Sequence, residues 1–435
     1  MLPPGRLAAL FAVMLVAAAG NTAMQSLLPA IGTRLGIADW LVSAAFSWSA
    51  LLWIFTAPRW ARLSDRRGRR ALMQLGLAGF TSSMLFCGLV LEAGIDGWLS
   101  AGATFALFAL FRSLYGGFGS AAPPAVQAYA ASRSSRADRT RILSLIASSF
   151  GLGTVIGPAL APYLIVPALG AASPLFMFAA IGILTMAVLR VALPDDAPRY
   201  AARGSVTSEP LSSSPSTAAM LADDNDPDHP PPDAGEAIAV ATAPAVRLRW
   251  TDRAVRPWLV AGLVGGHAQA VLLGVIGFLI LDRLGLRATP EAAYGPTGLV
   301  LTVGAVATLL AQWGLIPMLH LGPRASMLAG LPIAAAGTVM LGFAQDLNGI
   351  ALANAVVSLG FGLFRPGFTA GASLAVGRER QGQVAGMIAS INGAPYVAGP
   401  AAGVLLYGAS APALFGLVAI SCAGLALWSR RAIRS

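Results

Sequence analysis

Charge is scarce in this chain, and lysine is absent altogether: all 29 basic residues are arginine. Only 11% of the 435 residues are charged against 56% hydrophobic, and the mean hydropathy is +0.70. Soluble domains carry roughly 25% charge, so a water-soluble globule is excluded. Cysteine is nearly missing as well. Cys87 and Cys422 each fall inside an apolar run without metal or redox spacing, and read as small core residues. No phosphate-binding loop is present, nor a polar domain large enough to hydrolyse a nucleotide, nor a constellation for hydrolysis, redox or metal chemistry. These absences argue against primary transport, against an enzyme and against a cofactor. Acid is missing where it would matter most. All 19 Asp and Glu lie in polar loops, at the ends of apolar runs or in the central polar stretch, so no carboxylate stands in mid-membrane to hold a cation.

What is present is a series of long apolar runs. A hydrocarbon core of roughly 30 Å needs about 20 apolar residues, and runs of this kind fall near residues 7–30, 40–58, 71–91, 98–126, 142–169 and 173–193. Six more lie near 256–281, 297–319, 325–345, 349–372, 383–408 and 411–428. The first is too long for a signal segment and lacks a cleavage site, so it counts as a span. Between the two sets, residues 194–253 include SEPLSSSPS and DDNDPDHPPPDAGE, a composition that cannot bury a core and is expected to be a disordered linker. The expectation is an all-α membrane protein of twelve transmembrane helices, with domains at 1–193 and 254–435. The arginines sit at the ends of the runs, which speaks against nucleic acid as the partner of so basic a chain. With the N-terminus inside, 24 arginines fall in inner loops or tails, 3 outside (Arg34, Arg283, Arg287) and 2 within spans (Arg112, Arg365). Both termini are therefore expected to be cytoplasmic.

The halves resemble each other. GFGSAAPPA at 117–125 aligns with GFGLFRPGF at 360–368, and GPALA at 157–161 with GPAAG at 399–403. The repeat predicts two six-helix bundles, with any shared cavity between them at mid-membrane. The polar hinge ARLSDRRGRR at 61–70 joins the second and third runs, where Gly68 allows a tight turn and Asp65 is the lone acid among the six arginines of 59–70. Asp65 is expected to accept hydrogen bonds from Arg69 or Arg70, or to face a helix N-terminus across the bundle interface, as a latch on one conformation. Gly153, Gly157 and Pro158 in the fifth run, matched by Gly399 and Pro400 in the eleventh, are expected either to form a packed hinge against the other bundle that seals one face, or to serve ordinary membrane-helix packing. Gly393, Pro395 and Gly403 add further breaks to the eleventh.

Residues 61–70 resemble motif A of the major facilitator superfamily, GxLaDrxGrk, with Ala61 in place of the first glycine. RSLYGGFG at 112–119 is similar to motif B, with Tyr115 where glutamine is usual. GTVIGP at 153–158 resembles motif C of the drug:proton antiporter branch, with Ala161 and Pro162 where two glycines often stand. The resemblance implies alternating access and a cavity lined by the first, fourth, seventh and tenth helices. There it places Asn21 and Gln25, one turn apart on one helix face; Arg112 and Tyr115; His267 and Gln269 in GGHAQ; and the stripe Asn354, Ser358, Phe361 and Arg365.

Each of these polar residues has two readings. A charge in a span is costly, and Arg112 is either a clasp to polar groups of the first run or part of the substrate and proton path, while Arg365 either snorkels to the inner surface or faces a wet cavity. His267 is either a packing residue or the one intramembrane side chain of a type that changes charge near neutrality. With no acid in mid-membrane, neutral or anionic amphipathic substrates are favoured over cations. The expected function is secondary, proton-coupled export of small amphipathic molecules by a monomer in the lipid bilayer of an inner membrane. Import of a small organic anion is the alternative, and a non-transporting receptor or scaffold a remote one. On the latch reading Asp65→Asn is expected to leave expression intact and to impair flux in proteoliposomes by unbalancing the two conformations; wild-type flux would leave the hinge a topology signal alone.

Overall fold

The computed structural model describes residues 3–133, 136–194, 248–377 and 380–433. Among these the chain is 88% helical and holds no strand. In the first half the helices are α1 (Pro4–Arg34), α2 (Asp39–Arg67), α3 (Arg69–Ile95), α4 (Ala101–Gly117), α5 (Ala122–Ser132), α6 (Arg136–Leu160) and α7 (Ser173–Ala192). The second half contributes α8 (Arg256–Arg283), α9 (Tyr294–Leu309), α10 (Pro323–Phe343), α11 (Leu347–Leu374), α12 (Gln381–Gly393), α13 (Pro395–Ala409) and α14 (Ala411–Ala432). Ten helical stretches are long and apolar enough to cross a membrane, so this is a multi-pass membrane protein.

The fourth and eleventh expected spans are each broken in two, and in the fourth the break is repaired by a neighbour. The chain leaves α4 through a 3-10 turn at Gly119–Ala121, where the Ala121 N–H bonds Phe118 O instead of Gly117 O. In hydrocarbon a freed carbonyl needs a partner from the protein. Trp60 Nε1 of α2 donates to Gly117 O at 2.6 Å and Thr56 Oγ1 to Gly116 O at 3.1 Å. The eleventh span breaks at Ala394, between Gly393 and Pro395.

Two expected boundaries are corrected. The fifth run was expected to extend to residue 169, but α6 ends at Leu160, and Pro162 and Pro167, which lack an N–H, open short 3-10 turns beyond it. Most of the expected linker lies outside the described residues. Its last part is not free chain: Leu248 is buried, and its N–H donates to Gln383 Oε1 at 2.6 Å.

Small residues set the helix crossings. A Cβ on Gly157 would lie 2.2 Å from Ala19 O and 2.3 Å from Thr22 Oγ1, so α6 packs directly on the α1 backbone. In the second half Gly403 and Gly399 approach Val271 and Ala270 in the same way, so α13 meets α8 as α6 meets α1. Gly153, Gly157, Gly399 and Pro400 thus make contacts within their own halves, and Pro158 adds one across: its carbonyl would lie 2.6 Å from a Cβ on Gly298 of α9.

These contacts predict a graded result. Gly157→Val is expected to cost about 1–3 kcal/mol through overpacking, read as a lowered melting midpoint in detergent. Gly424→Ala, with nothing within 4 Å of the new Cβ, is expected to leave the midpoint unchanged.

Candidate functional site

A cavity of about 110 Å³ lies between the halves, lined from α1, α6, α8, α9, α11 and α13. Gln25, Gln269, Asn354 and Ser358 meet there, joined by Thr22 and Tyr396. No Asp, Glu, Arg, Lys or His lines it among the described residues. Asn354 is held by its Nδ2 donating to Val300 O at 2.9 Å, beneath Gly304, where a Cβ would lie 2.4 Å from that nitrogen. Gln269 Oε1 is buried with no hydrogen-bond partner. An orphaned buried acceptor costs about 1–3 kcal/mol, so the group best suited to this position is an N–H or O–H donor. A smaller cavity of about 40 Å³ lies beside it, sharing Gln25, Leu273, Ile276, Leu301 and Tyr396 and bounded by Phe46.

Five of the expected residues lie off the central cavity. Arg112 is buried; its Nη2 donates to Asn21 Oδ1, and its guanidinium lies 4.5 Å from the Tyr115 ring centroid and 5.2 Å from that of Phe46. Asn21, Arg112 and Tyr115 therefore form a clasp between α1 and α4, and no residue of the fourth expected span reaches the lining. Arg112 Nε and Nη1 have no hydrogen-bond partner; the aromatic faces supply part of the compensation. Arg365 is buried rather than snorkelling, with Nη2 donating to Asn392 Oδ1 at 3.0 Å and Nη1 to Tyr396 Oη at 3.3 Å. Tyr396 stands between it and the cavity. His267 faces another way: two residues before Gln269, it lies about 200° around α8, in a separate lateral pocket.

Thr22, Thr154, Thr308 and Tyr396 line the cavity but carried no strong sequence signal. Threonine is common in membrane helices because its hydroxyl bonds the preceding turn, as Thr22 Oγ1 does to Ala18 O at 2.9 Å.

At the hinge, Gly68 adopts φ 92°, the positive-φ turn the sequence required. Arg69 Nη1 donates to Ser132 Oγ, and Arg70 Nη2 to Arg190 O at 2.7 Å, tying α3 to α5 and α7 of its own half. The Asp65 side chain lies outside the described residues.

At the opposite end, two ion pairs cross between the halves. Arg287 grips Asp39, Nη1 to Oδ1 at 3.0 Å and Nη2 to Oδ2 at 2.7 Å, and Arg34 Nη1 meets Glu291 Oε1 at 2.9 Å. Arg287 Nε also donates to Asp282 Oδ1 at 2.6 Å, and Tyr407 Oη to Asp282 Oδ2 at 2.9 Å. The Arg287 guanidinium is held above its usual range, chiefly by its hydrogen bonds to Asp39, against the opposing effect of partial burial. The halves are thus charge-clamped at the end remote from the hinge. Because exposed pairs contribute up to about 1 kcal/mol, Arg287→Gln is expected to raise about fivefold the rate at which a cysteine at Ser43 reacts with an impermeant maleimide added on the clamp side; an unchanged rate would show that the pair holds nothing.

A family model described as the Major Facilitator Superfamily matches residues 10–321. No curated protein matches the chain. Among solved structures, the human organic anion transporter MFSD10 (TETRAN) aligns at 19% identity and TM-score 0.59, covering 99% of this chain and 100% of that one. A bacterial homologue of the human lysosomal transporter Spinster, in an inward-facing and unoccupied conformation, aligns at 13% identity and TM-score 0.66, with 99% and 96% covered. The POT family transporter PepTSo aligns at 12% identity and TM-score 0.67, with 99% of each chain covered. At such identities these likenesses show the fold, and the family model carries the assignment: a multi-pass membrane protein with a polar cavity between two halves, the chain belongs to the Major Facilitator Superfamily.

Proposed function

We propose that the chain is a secondary transporter that moves small, uncharged amphipathic molecules by alternating access. The observation that carries this reading is the central cavity, in which amides and hydroxyls from both halves stand among apolar side chains with, among the described residues, no ionisable group other than Tyr396. Such a lining matches a neutral solute bearing hydrogen-bond donors, and the orphaned Gln269 Oε1 is the acceptor waiting for one. Among the substrates the sequence favoured, the neutral one is supported over the anionic, because Arg112 and Arg365 are committed to Asn21 and to Asn392 with Tyr396.

In this proposal the broken pairs α4 with α5 and α12 with α13 each count as one span, giving twelve in two six-helix bundles, 1–193 and 254–435, with the chain between them as a tether whose last residues, from Leu248, pack on the second half. With both termini cytoplasmic, as the arginines favour, the charge clamp faces outward and the described form is closed to the outside. The protein is a monomer in a bacterial-type inner membrane. Export in exchange for protons is the proposed direction, on the likeness of Gly153–Pro158 to motif C; with no titratable acid or histidine in the cavity, the proton is taken up elsewhere, and Asp65 is the proposed site.

Flux into proteoliposomes over a panel of neutral, anionic and cationic amphiphiles, with and without a pH gradient, tests the reading. Neutral solutes are expected to be carried, and Gln269→Met to raise the KM for them about tenfold. Transport of anions or cations alone would overturn the substrate class, and flux indifferent to a collapsed gradient would overturn the exchange. His267→Gln is expected to leave the pH profile of flux unchanged.

A further inference from the structure

His267 belongs to a pocket of its own. On the flank of the second half, α8, α13 and α14 enclose about 390 Å³, within the roughly 300–1,000 Å³ usual for small-molecule sites. Ten of the twelve lining residues are aliphatic or glycine; the exceptions are His267 on α8 and Ser421 on α14. The rim is apolar and open, with Leu263 40% and Leu417 57% exposed.

Depth limits what can sit there. His267 is the twelfth residue of the 28-residue α8, about 16 Å of helix from its start at 1.5 Å per residue, and Ser421 is the eleventh of the 22 residues of α14. Both polar groups therefore stand near the middle of a hydrocarbon layer about 30 Å thick, out of reach of a phospholipid headgroup. An acyl chain alone would fill the pocket and give no partner to the second imidazole nitrogen or to the Ser421 hydroxyl, which is costly.

The imidazole is already committed on one side. Its Nδ1 lies 2.8 Å from Leu263 O. A carbonyl oxygen only accepts, so Nδ1 carries the hydrogen, and in the neutral ring Nε2 is left as an acceptor. His267 makes no other hydrogen bond among the described residues. The pocket thus offers an apolar wall, one fixed acceptor in mid-membrane and a serine hydroxyl on the opposite helix.

We propose that this lateral pocket is a binding site for a lipid-soluble, uncharged hydroxyl compound, a phenol or alcohol dissolved in the bilayer, whose O–H donates to His267 Nε2 while its apolar body lies against α13 and α14. The site is separate from the central cavity, since His267 and Gln269 point to opposite faces of α8, and it stands whether or not the transport reading does.

The test uses the full-length protein in lipid vesicles and two photoreactive probes, a diazirine-bearing alkylphenol and its methyl ether, with labelled residues mapped by mass spectrometry. The ether has the same apolar body and no donor. In the unaltered protein the phenol is expected to label the α8 and α14 residues of the pocket about fivefold more than the ether, the worth of one net hydrogen bond, and His267→Leu is expected to erase that difference. Leu417→Trp, which fills the pocket, is expected to abolish labelling there and leave labelling elsewhere unchanged. Equal labelling by phenol and ether in the unaltered protein overturns the proposal, as does labelling spread evenly over all lipid-facing helices. Labelling that appears only once a self-associated form is dispersed by dilution assigns the groove to a second copy and overturns it as well.

Discussion

Every main-chain carbonyl at membrane depth in this molecule must find its hydrogen bond inside the protein, because the hydrocarbon around it offers none. The rest of the architecture depends on that constraint. It explains why the membrane-spanning segments are helical, and why the departure from helix at Phe118–Ala121 is matched by α2 side chains aimed at the carbonyls it releases. Trp60 and Thr56 are thus part of the fourth span as much as of the second. The same constraint makes charge rare in mid-membrane and explains the form it takes when present. Arg112 and Arg365 are each buried, each bonded to an asparagine and each in contact with a tyrosine.

Most of the fold was legible in the sequence because hydropathy is a long-range signal that a few polar residues do not erase. Ten stretches stand out by length and composition alone. The break inside 98–126 was hidden, since glycine and proline are ordinary in membrane helices and the repair comes from side chains sixty residues earlier. The end of α6 was misplaced for a related reason: Ala161 to Leu169 is apolar enough to continue a span, and only its prolines stop it. The Gly393–Pro395 break could be read directly, because a glycine and a proline flank one residue.

The site was legible by residue type and obscure by direction. Polar residues in spans were the right ones to inspect, and Gln25, Gln269, Asn354 and Ser358 do converge. Helix phase decided the others. Asn21 is one residue from Thr22 and points at Arg112 instead of the cavity, and His267 lies on the far side of the helix from Gln269. A sequence gives the angular position of each residue on its own helix, but not which neighbour stands opposite that angle. Thr22, Thr154 and Tyr396, unremarkable in composition, sit on helices brought close by the crossings of α6 with α1 and of α13 with α8, and Thr308 lies where Gly362 of α11 meets α9.

One consequence of α2 concerns how force passes through the molecule. The helix is 29 residues long, about 43 Å. At its first residue, Asp39, it holds the other half; some two-thirds of the way along, at Thr56 and Trp60, it supports the broken α4; at its last, it enters the Gly68 turn. Pro58 lies inside the helix between these supports, two residues before Trp60, and an interior proline is where a helix bends. The clamp at Asp39 and the turn at Gly68 are therefore joined by one helix whose bend point is braced by the Trp60–Gly117 contact, so a load on the clamp is met there before it reaches the arginine hinge.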